Sequence, residues 1–305
     1  MSLCLLCPGQ GSQSTDMLTA LLADPLVAPS LQALMGGQTE HWLAVAANPQ
    51  TAFENQHAQP LIVMAGLAVA QALQGQGICP GLAAGYSVGE LTAQGVVGAL
   101  PAHICVALAQ TRAQSMDQAS PSGHGMMAVK GVRLPVLQAE VEQHGLRIAI
   151  VNDEQHAVVA GPVKVMKQIC QGLQARLGAH VVHLPVHVPS HTAWLANATA
   201  QFEQTLQQAA WQSFEAPVLS ALDGSPVHSQ TEAVPRLARQ ISEPLQWSRT
   251  LDLSAEMGAS VYFEVGPGNT LTRMVRERFP NVAARSITEF QTLAGAVAWL
   301  QQHVA

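Results

Sequence analysis

Ser87 stands in Gly85-Tyr86-Ser87-Val88-Gly89, a G-x-S-x-G pentapeptide. A serine becomes a nucleophile when a tight turn lifts it clear of a sheet and a base takes its proton. The two glycines suit such a turn, because side chains two residues before and after the serine would collide there. A helix starting behind the serine points free N–H groups at the reacting carbonyl oxygen, and Val88 N–H is the expected donor to an oxyanion. The pentapeptide alone arises often by chance, and the rival reading is a tightly packed turn without chemistry. Three histidines, His183, His187 and His191 in HLPVHVPSH, are candidates for the base. Their spacing of four suits a metal on a helix. Pro185 and Pro189 rule against one continuous helix, although an extended path would still let all three face one side, so a metal stays open at this point. His191 follows Pro-Ser and begins the next helix, where a base can lean over a cleft; His183 and His187 read as structural histidines of a strand. Cys4 and Cys7 form a C-x-x-C with no second pair, inside an apparent strand, and read as small apolar core residues.

The elements around these residues predict an α/β chain. SLCLLC is a short buried strand stopped by Pro8-Gly9. QPLIVMAGLAVAQALQGQG is a helix apolar on nearly all sides, with Pro60 in its first turn. GLAAGYS is a small-residue strand, VGELTAQGVVGAL a helix, and PAHICVALAQTRAQSMDQA another; strand, tight turn and helix make a βα unit of a parallel sheet. The order then becomes β-α-β-β-α-β between GHGMMAVKGV and AHVVHLPV, with a polar turn at Asn152-Asp153-Glu154, which is the ferredoxin-like split pattern. The expected division is a catalytic core, 1–122 and 188–305, carrying an inserted small subdomain, 123–187.

Composition bounds the partners. The 305 residues are 48% hydrophobic, enough for a large core without a stapling metal or disulfide. Charged residues are 11% with a net charge of −6 and no dense Lys/Arg block, and aromatics are 4%, which argues against nucleic acid. Five cysteines, an odd number, point to a reduced, cytoplasmic protein. The N-terminus lacks a basic leader and no segment reads as a membrane span, so neither secretion nor a membrane is expected.

PGQGSQ at 8–13, GYSVGE at 85–90, Arg112 in AQTRAQSM, VPSH at 188–191, RQISEPLQW at 239–247 and EVGPGNTL at 264–271 occur in order. Together they resemble the malonyl-CoA:acyl carrier protein transacylase family over nearly the whole chain. The resemblance implies an α/β-hydrolase-like core with a ferredoxin-like insert. It implies Ser87 as the acylated nucleophile, His191 as general base, Gln10 as support for the oxyanion hole beside Val88, and a backbone carbonyl near Gln240 holding the histidine. It implies Arg112 as the partner of the malonyl carboxylate, with Asn152 and Gln59 near the site. Physics favours the arginine: a carboxylate must not be buried unpaired, and a guanidinium fork binds it bidentately.

Tyr86 is a departure, because most of the family carries histidine there. GYSVGE is similar to the epsilon subunit of malonate decarboxylase, which implies transfer of malonyl from malonyl-CoA to a carrier protein bearing a phosphoribosyl-dephospho-coenzyme A group, and other decarboxylase subunits as partners. No tightly bound cofactor or metal is implied; coenzyme A thioester is substrate. Tyr86 cannot be protonated near neutrality, which leaves the role of base to His191. Three alternatives stand beside this: a general transacylase of fatty-acid synthesis, a serine hydrolase oriented by Asp117, Asp153 or Glu154, and a non-catalytic carrier-docking subunit.

Overall fold

The computed structural model describes residues 2–304; the outermost ends of the expected core, residues 1 and 305, lie outside them. Strands are β1 (Ser2–Cys7), β2 (Leu82–Gly85), β3 (His124–Lys130), β4 (Arg147–Asp153), β5 (His156–Pro162), β6 (His180–His183), β7 (Val218–Leu219), β8 (Pro226–Val227), β9 (Ala259–Glu264) and β10 (Ala283–Ser286). Helices are α1 (Met17–Ala23), α2 (Ala28–Leu34), α3 (Thr39–Ala47), α4 (Asn55–Gly75), α5 (Gly89–Val96), α6 (Ala102–Ala119), α7 (Leu134–Gln143), α8 (Val163–Leu177), α9 (Ala196–Gln207), α10 (Gln230–Arg239), α11 (Trp247–Glu256), α12 (Thr270–Arg278) and α13 (Leu293–Val304).

SLCLLC is apolar on both faces because β1 lies inside a sheet covered on both sides. The larger sheet has the order β10-β9-β1-β2-β7-β8, parallel except where β8 returns against β7. Leu3, Leu5 and Cys7 enter one hydrophobic cluster, and Cys4 and Leu6 enter another on the opposite face. The period-2 alternation of strand side chains feeds both layers. Ligand sites of parallel sheets form beyond the carboxyl ends of the strands. Here those ends carry the Pro8–Gln13 loop after β1 and the Ser87 turn after β2.

The second sheet, β4-β5-β3-β6, is antiparallel and built from residues 124–183, with α7 and α8 as its helices. It docks on the core through β4: Val151 N–H donates to Leu245 O at 2.9 Å, and Leu245 N–H to Ala149 O at 2.9 Å. The fold is therefore the expected α/β core with a ferredoxin-like insert.

Several local expectations are corrected. Pro60 sits inside α4, not in its first turn, since the helix begins at Asn55. That early start carries Asn55 and Gln59 on one helix. Contrary to the expectation that no segment reads as a membrane span, α4 is long and apolar enough to cross one; in this fold it is a buried core helix. Asn152 and Asp153 belong to β4, and the reversal falls at Glu154-Gln155, tightened by Gln155 N–H donating to Asp153 Oδ1 at 2.6 Å. His191 does not begin a helix: it holds φ 62° in a turn, tied by its N–H to Ile241 O at 2.9 Å, and a 3₁₀ turn starts at Ala193. α1, α2 and α3 are not among the elements expected from the sequence; they are short and have no side-chain cap hydrogen bonds, and Pro29 in the first turn of α2 is the boundary signal present. The cysteines are free among the described residues, with Cys4, Cys7 and Cys105 buried.

Candidate active site

The turn after β2 explains both glycines. A Cβ on Gly85 would lie 2.2 Å from Glu90 N, and one on Gly89 would lie 2.1 Å from Cys7 O. Both contacts are with backbone, which cannot move aside. Between them Ser87 takes φ 56°, and Ser87 and His191 are the two residues other than glycine with positive φ among the described residues. Such strain costs about 1–3 kcal/mol and is held in place only when the surroundings over-determine it.

These two strained residues meet. Ser87 Oγ lies 2.8 Å from His191 Nε2. His191 Nδ1 bonds the backbone carbonyl of Gln240. A carbonyl only accepts, so Nδ1 carries the hydrogen and Nε2 presents its lone pair to the serine hydroxyl. Burial draws the His191 pKa down to about 3, helped by the Arg112 charge and opposed by the Gln240 hydrogen bond, so the ring is neutral. No carboxylate orients it: Asp117 bonds Asn55, Asp153 bonds the Gln155 turn, and among the described residues no acid bonds His191. Both ring nitrogens are committed, while His183 and His187 are exposed. The three-histidine metal reading thus fails on geometry. The expectation that His183 and His187 are strand residues holds for His183 in β6 only; His187 lies beyond it.

Arg112 comes from α6 and is 1% exposed. Its Nη1 donates to Gln59 Oε1 at 2.8 Å and its Nη2 to Ser87 Oγ at 3.3 Å. Among the described residues no carboxylate pairs with it. Burial lowers its pKa to about 10 against a partial offset from Glu90. Glu90, fully buried, is itself pushed up to about 8 by burial. The guanidinium therefore faces Ser87 Oγ with no full negative charge in contact with it.

The remaining expected residues fall around this centre. Gln10, Tyr86, Val88, Gln59 and Arg112 line one slot with Ser87 and His191, closed on the other side by Met126, Ile150, Val158 and Val186. Gln10 anchors its loop by donating to Phe53 O at 3.3 Å. The neighbouring Gly11 N–H is taken by Gln13 Oε1 at 2.7 Å, whereas Gln10 N–H and Val88 N–H have no partner within the described protein. Two free backbone donors next to a serine are suited to an oxyanion. Tyr86 packs edge-on against Trp247 at 5.2 Å and donates to Asn152 Oδ1 at 3.1 Å, joining the turn to β4 of the small subdomain.

Sequence reasoning missed Glu90, Trp247, Asn55 and the part of Asp117. Glu90 accepts from Ala221 N–H at 3.0 Å and from Gln240 Nε2 at 3.3 Å, so it fastens the segment that supplies the carbonyl to His191. Its place at the end of GYSVGE was the available signal.

Comparison with known proteins gives the family and the fold. A profile described as "Acyl transferase domain" matches residues 4–297. The malonyl CoA-acyl carrier protein transacylase of Mycobacterium bovis is 31% identical over 289 residues, covering 93% of this chain and 95% of that protein. The protein of the same name from Synechocystis sp. is 28% identical over 291 residues, covering 94% and 97%. The crystal structure of malonyl-CoA:acyl carrier protein transacylase from Xanthomonas oryzae pv. oryzae superimposes with a TM-score of 0.90 at 28% identity, covering 98% of each chain.

Proposed function

The chain belongs to the acyl transferase family and, within it, to the malonyl-CoA:acyl carrier protein transacylases; on that premise we propose that it moves malonyl from malonyl-CoA to a carrier thiol through an acyl-serine on Ser87. One observation carries the reading: a neutral, buried His191 at 2.8 Å from Ser87 Oγ, with a guanidinium that lacks a carboxylate 3.3 Å from the same oxygen.

Malonyl-CoA enters the slot, and its free carboxylate takes Arg112. Ser87 Oγ attacks the thioester carbonyl carbon while its proton passes to His191 Nε2. Val88 N–H and Gln10 N–H hold the oxyanion. The C–S bond breaks, and His191 returns the proton to the coenzyme A sulfur. In the second half the carrier thiol gives its proton to His191 Nε2 and its sulfur attacks the acyl-serine carbonyl; the C–O bond to Ser87 breaks, and His191 returns the proton to Ser87 Oγ. Arg112 also tunes the base. Its charge lowers the proton affinity of His191, and a bound carboxylate cancels that charge. The correct substrate thereby strengthens its own base. Every proton and electron pair is accounted for by substrate and side chains, so the cycle calls on no metal or resident cofactor.

We place the subdomain at 123–187, the site where it meets the core, and the protein in the cytoplasm. For the acceptor we propose the carrier subunit of malonate decarboxylase, with that enzyme's other subunits as partners. Tyr86 supports this, standing where most of the family has histidine. The general fatty-acid carrier is the second reading, favoured by the names of the relatives. A serine hydrolase is disfavoured by the backbone carbonyl on His191, because such enzymes orient histidine with an acid. Peptide mapping after a brief incubation with malonyl-CoA should find malonyl on Ser87 alone, discharged faster by a carrier thiol than by water. Label on a cysteine or on Ser190 with Ser87 unmodified would overturn the assignment. Comparing the two carriers as acceptors decides between the pathways.

A further inference from the structure

Arg112 is held from behind by a row of polar side chains that the chemistry above does not use. Its Nη1 donates to Gln59 Oε1 at 2.8 Å. Gln59 Nε2 donates to Asn55 Oδ1 at 2.7 Å, with Met116 Sδ at 3.5 Å as a weaker second acceptor. Asn55 Nδ2 donates to Asp117 Oδ1 at 3.0 Å and to Ala113 O at 3.1 Å. Asn55 and Gln59 are one turn apart on α4, 7% and 2% exposed, while Arg112, Ala113 and Asp117 share α6.

The polarity of this row is set by Arg112 at one end and, at the other, by Asp117 together with the Ala113 carbonyl, which share Asn55 Nδ2. A guanidinium only donates and a carboxylate only accepts. Gln59 must therefore show its oxygen to Arg112 and its nitrogen to Asn55. Asn55 must then show its oxygen to Gln59 and its nitrogen to Asp117. Each amide has one orientation that satisfies both neighbours, and a single reversed amide would aim N–H at N–H. We propose that Asp117, acting through Asn55, is a positioning residue: it fixes the Gln59 amide with its oxygen toward Arg112 and so keeps the guanidinium aimed at the acyl carboxylate. Asp117 does not orient His191; it connects through Asn55 and Gln59 to Arg112. The inference rests on Arg112 reading the carboxylate.

The test compares kcat/KM for malonyl-CoA with that for acetyl-CoA in wild type, Asp117→Ala, Asp117→Asn and Arg112→Met. Asp117→Ala should lower the malonyl-to-acetyl ratio by roughly 3–10-fold, less than the loss of a fully buried charge-assisted bond because Asp117 is exposed and water replaces part of it. Asp117→Asn keeps an acceptor oxygen for Asn55 and should restore the ratio to within about 2-fold of wild type, inside the error of independent substitutions. Asp117→Ser, which is too short to reach Asn55, serves if Asp117→Ala does not fold. A residue that merely clamps α4 to α6 would reduce both substrates together and leave the ratio unchanged. An unchanged ratio in the Asp117 truncations, with a lowered ratio in Arg112→Met, overturns the positioning role. An unchanged ratio in Arg112→Met as well overturns the carboxylate reading beneath it.

Discussion

Arg112→Met deletes the guanidinium while keeping most of the side chain's length, and it should change selectivity more than rate. The group is 1% exposed, and burial takes its pKa down to about 10. At about 1.4 kcal/mol per tenfold, that drop corresponds to roughly 3 kcal/mol lost by the charged form. A malonyl carboxylate recovers much of this cost, and an acetyl methyl recovers none. A hydrogen bond to a charged group contributes about 1.5–3 kcal/mol, the same range. The ratio of kcat/KM for malonyl-CoA to that for acetyl-CoA should therefore fall by about 10–100-fold. Acetyl transfer should fall little or rise, since His191 no longer faces a cation and becomes the stronger base. Stopped-flow release of coenzyme A with each thioester, on variant protein whose Tm shows it folded, measures both. An unchanged ratio would refute the assignment, because among the described residues lining the Ser87 slot Arg112 is the one Lys or Arg.

His191→Ala should slow acylation by ~10²–10⁴-fold, the usual cost of a lost general base, with a much smaller change in malonyl-CoA binding; equal losses in rate and affinity would count against the role. In wild type the His191 pKa of about 3 keeps the ring neutral, so acylation by folded enzyme should not halve near pH 6.5 as it would with an ordinary histidine. Glu90 has a folded pKa of about 8 against an ordinary 4.5, so between these values the folded state keeps a proton that the unfolded state has released. Stability from this group is thus lost as pH rises through that window. Glu90→Gln should raise Tm more at pH 9 than at pH 5; an equal change at both would show that Glu90 is ionised throughout.

Much of this molecule was legible in the linear chain because the relevant signals are local. G-x-S-x-G between a small-residue strand and a helix is a local pattern, and the collision at Gly85 is with backbone of the same turn, although the one at Gly89 is with the end of β1, which only the fold brings there. The β-α-β-β-α-β order is likewise written in successive periodicities, and it separates 124–183 from the core without knowledge of any contact. The motifs that resembled a family named Ser87, His191 and Arg112 before their proximity was known.

Other features depended on distance in three dimensions. His191 was placed at the start of a helix, yet its ring is aimed by a φ of 62° and by Ile241 and Gln240, about fifty residues downstream. Glu90 is an ordinary surface-type residue by sequence; burial is the main cause that raises its pKa, against the opposing Ala221 hydrogen bond. Asp117 looked like a spare acid because its partner Asn55 lies 62 residues away. Residue type and spacing determine which chemistry is available and which elements form. Desolvation, amide orientation and the meeting of Ser87, His191 and Arg112 are properties of packed neighbours remote in the chain, and only the tertiary structure decides them.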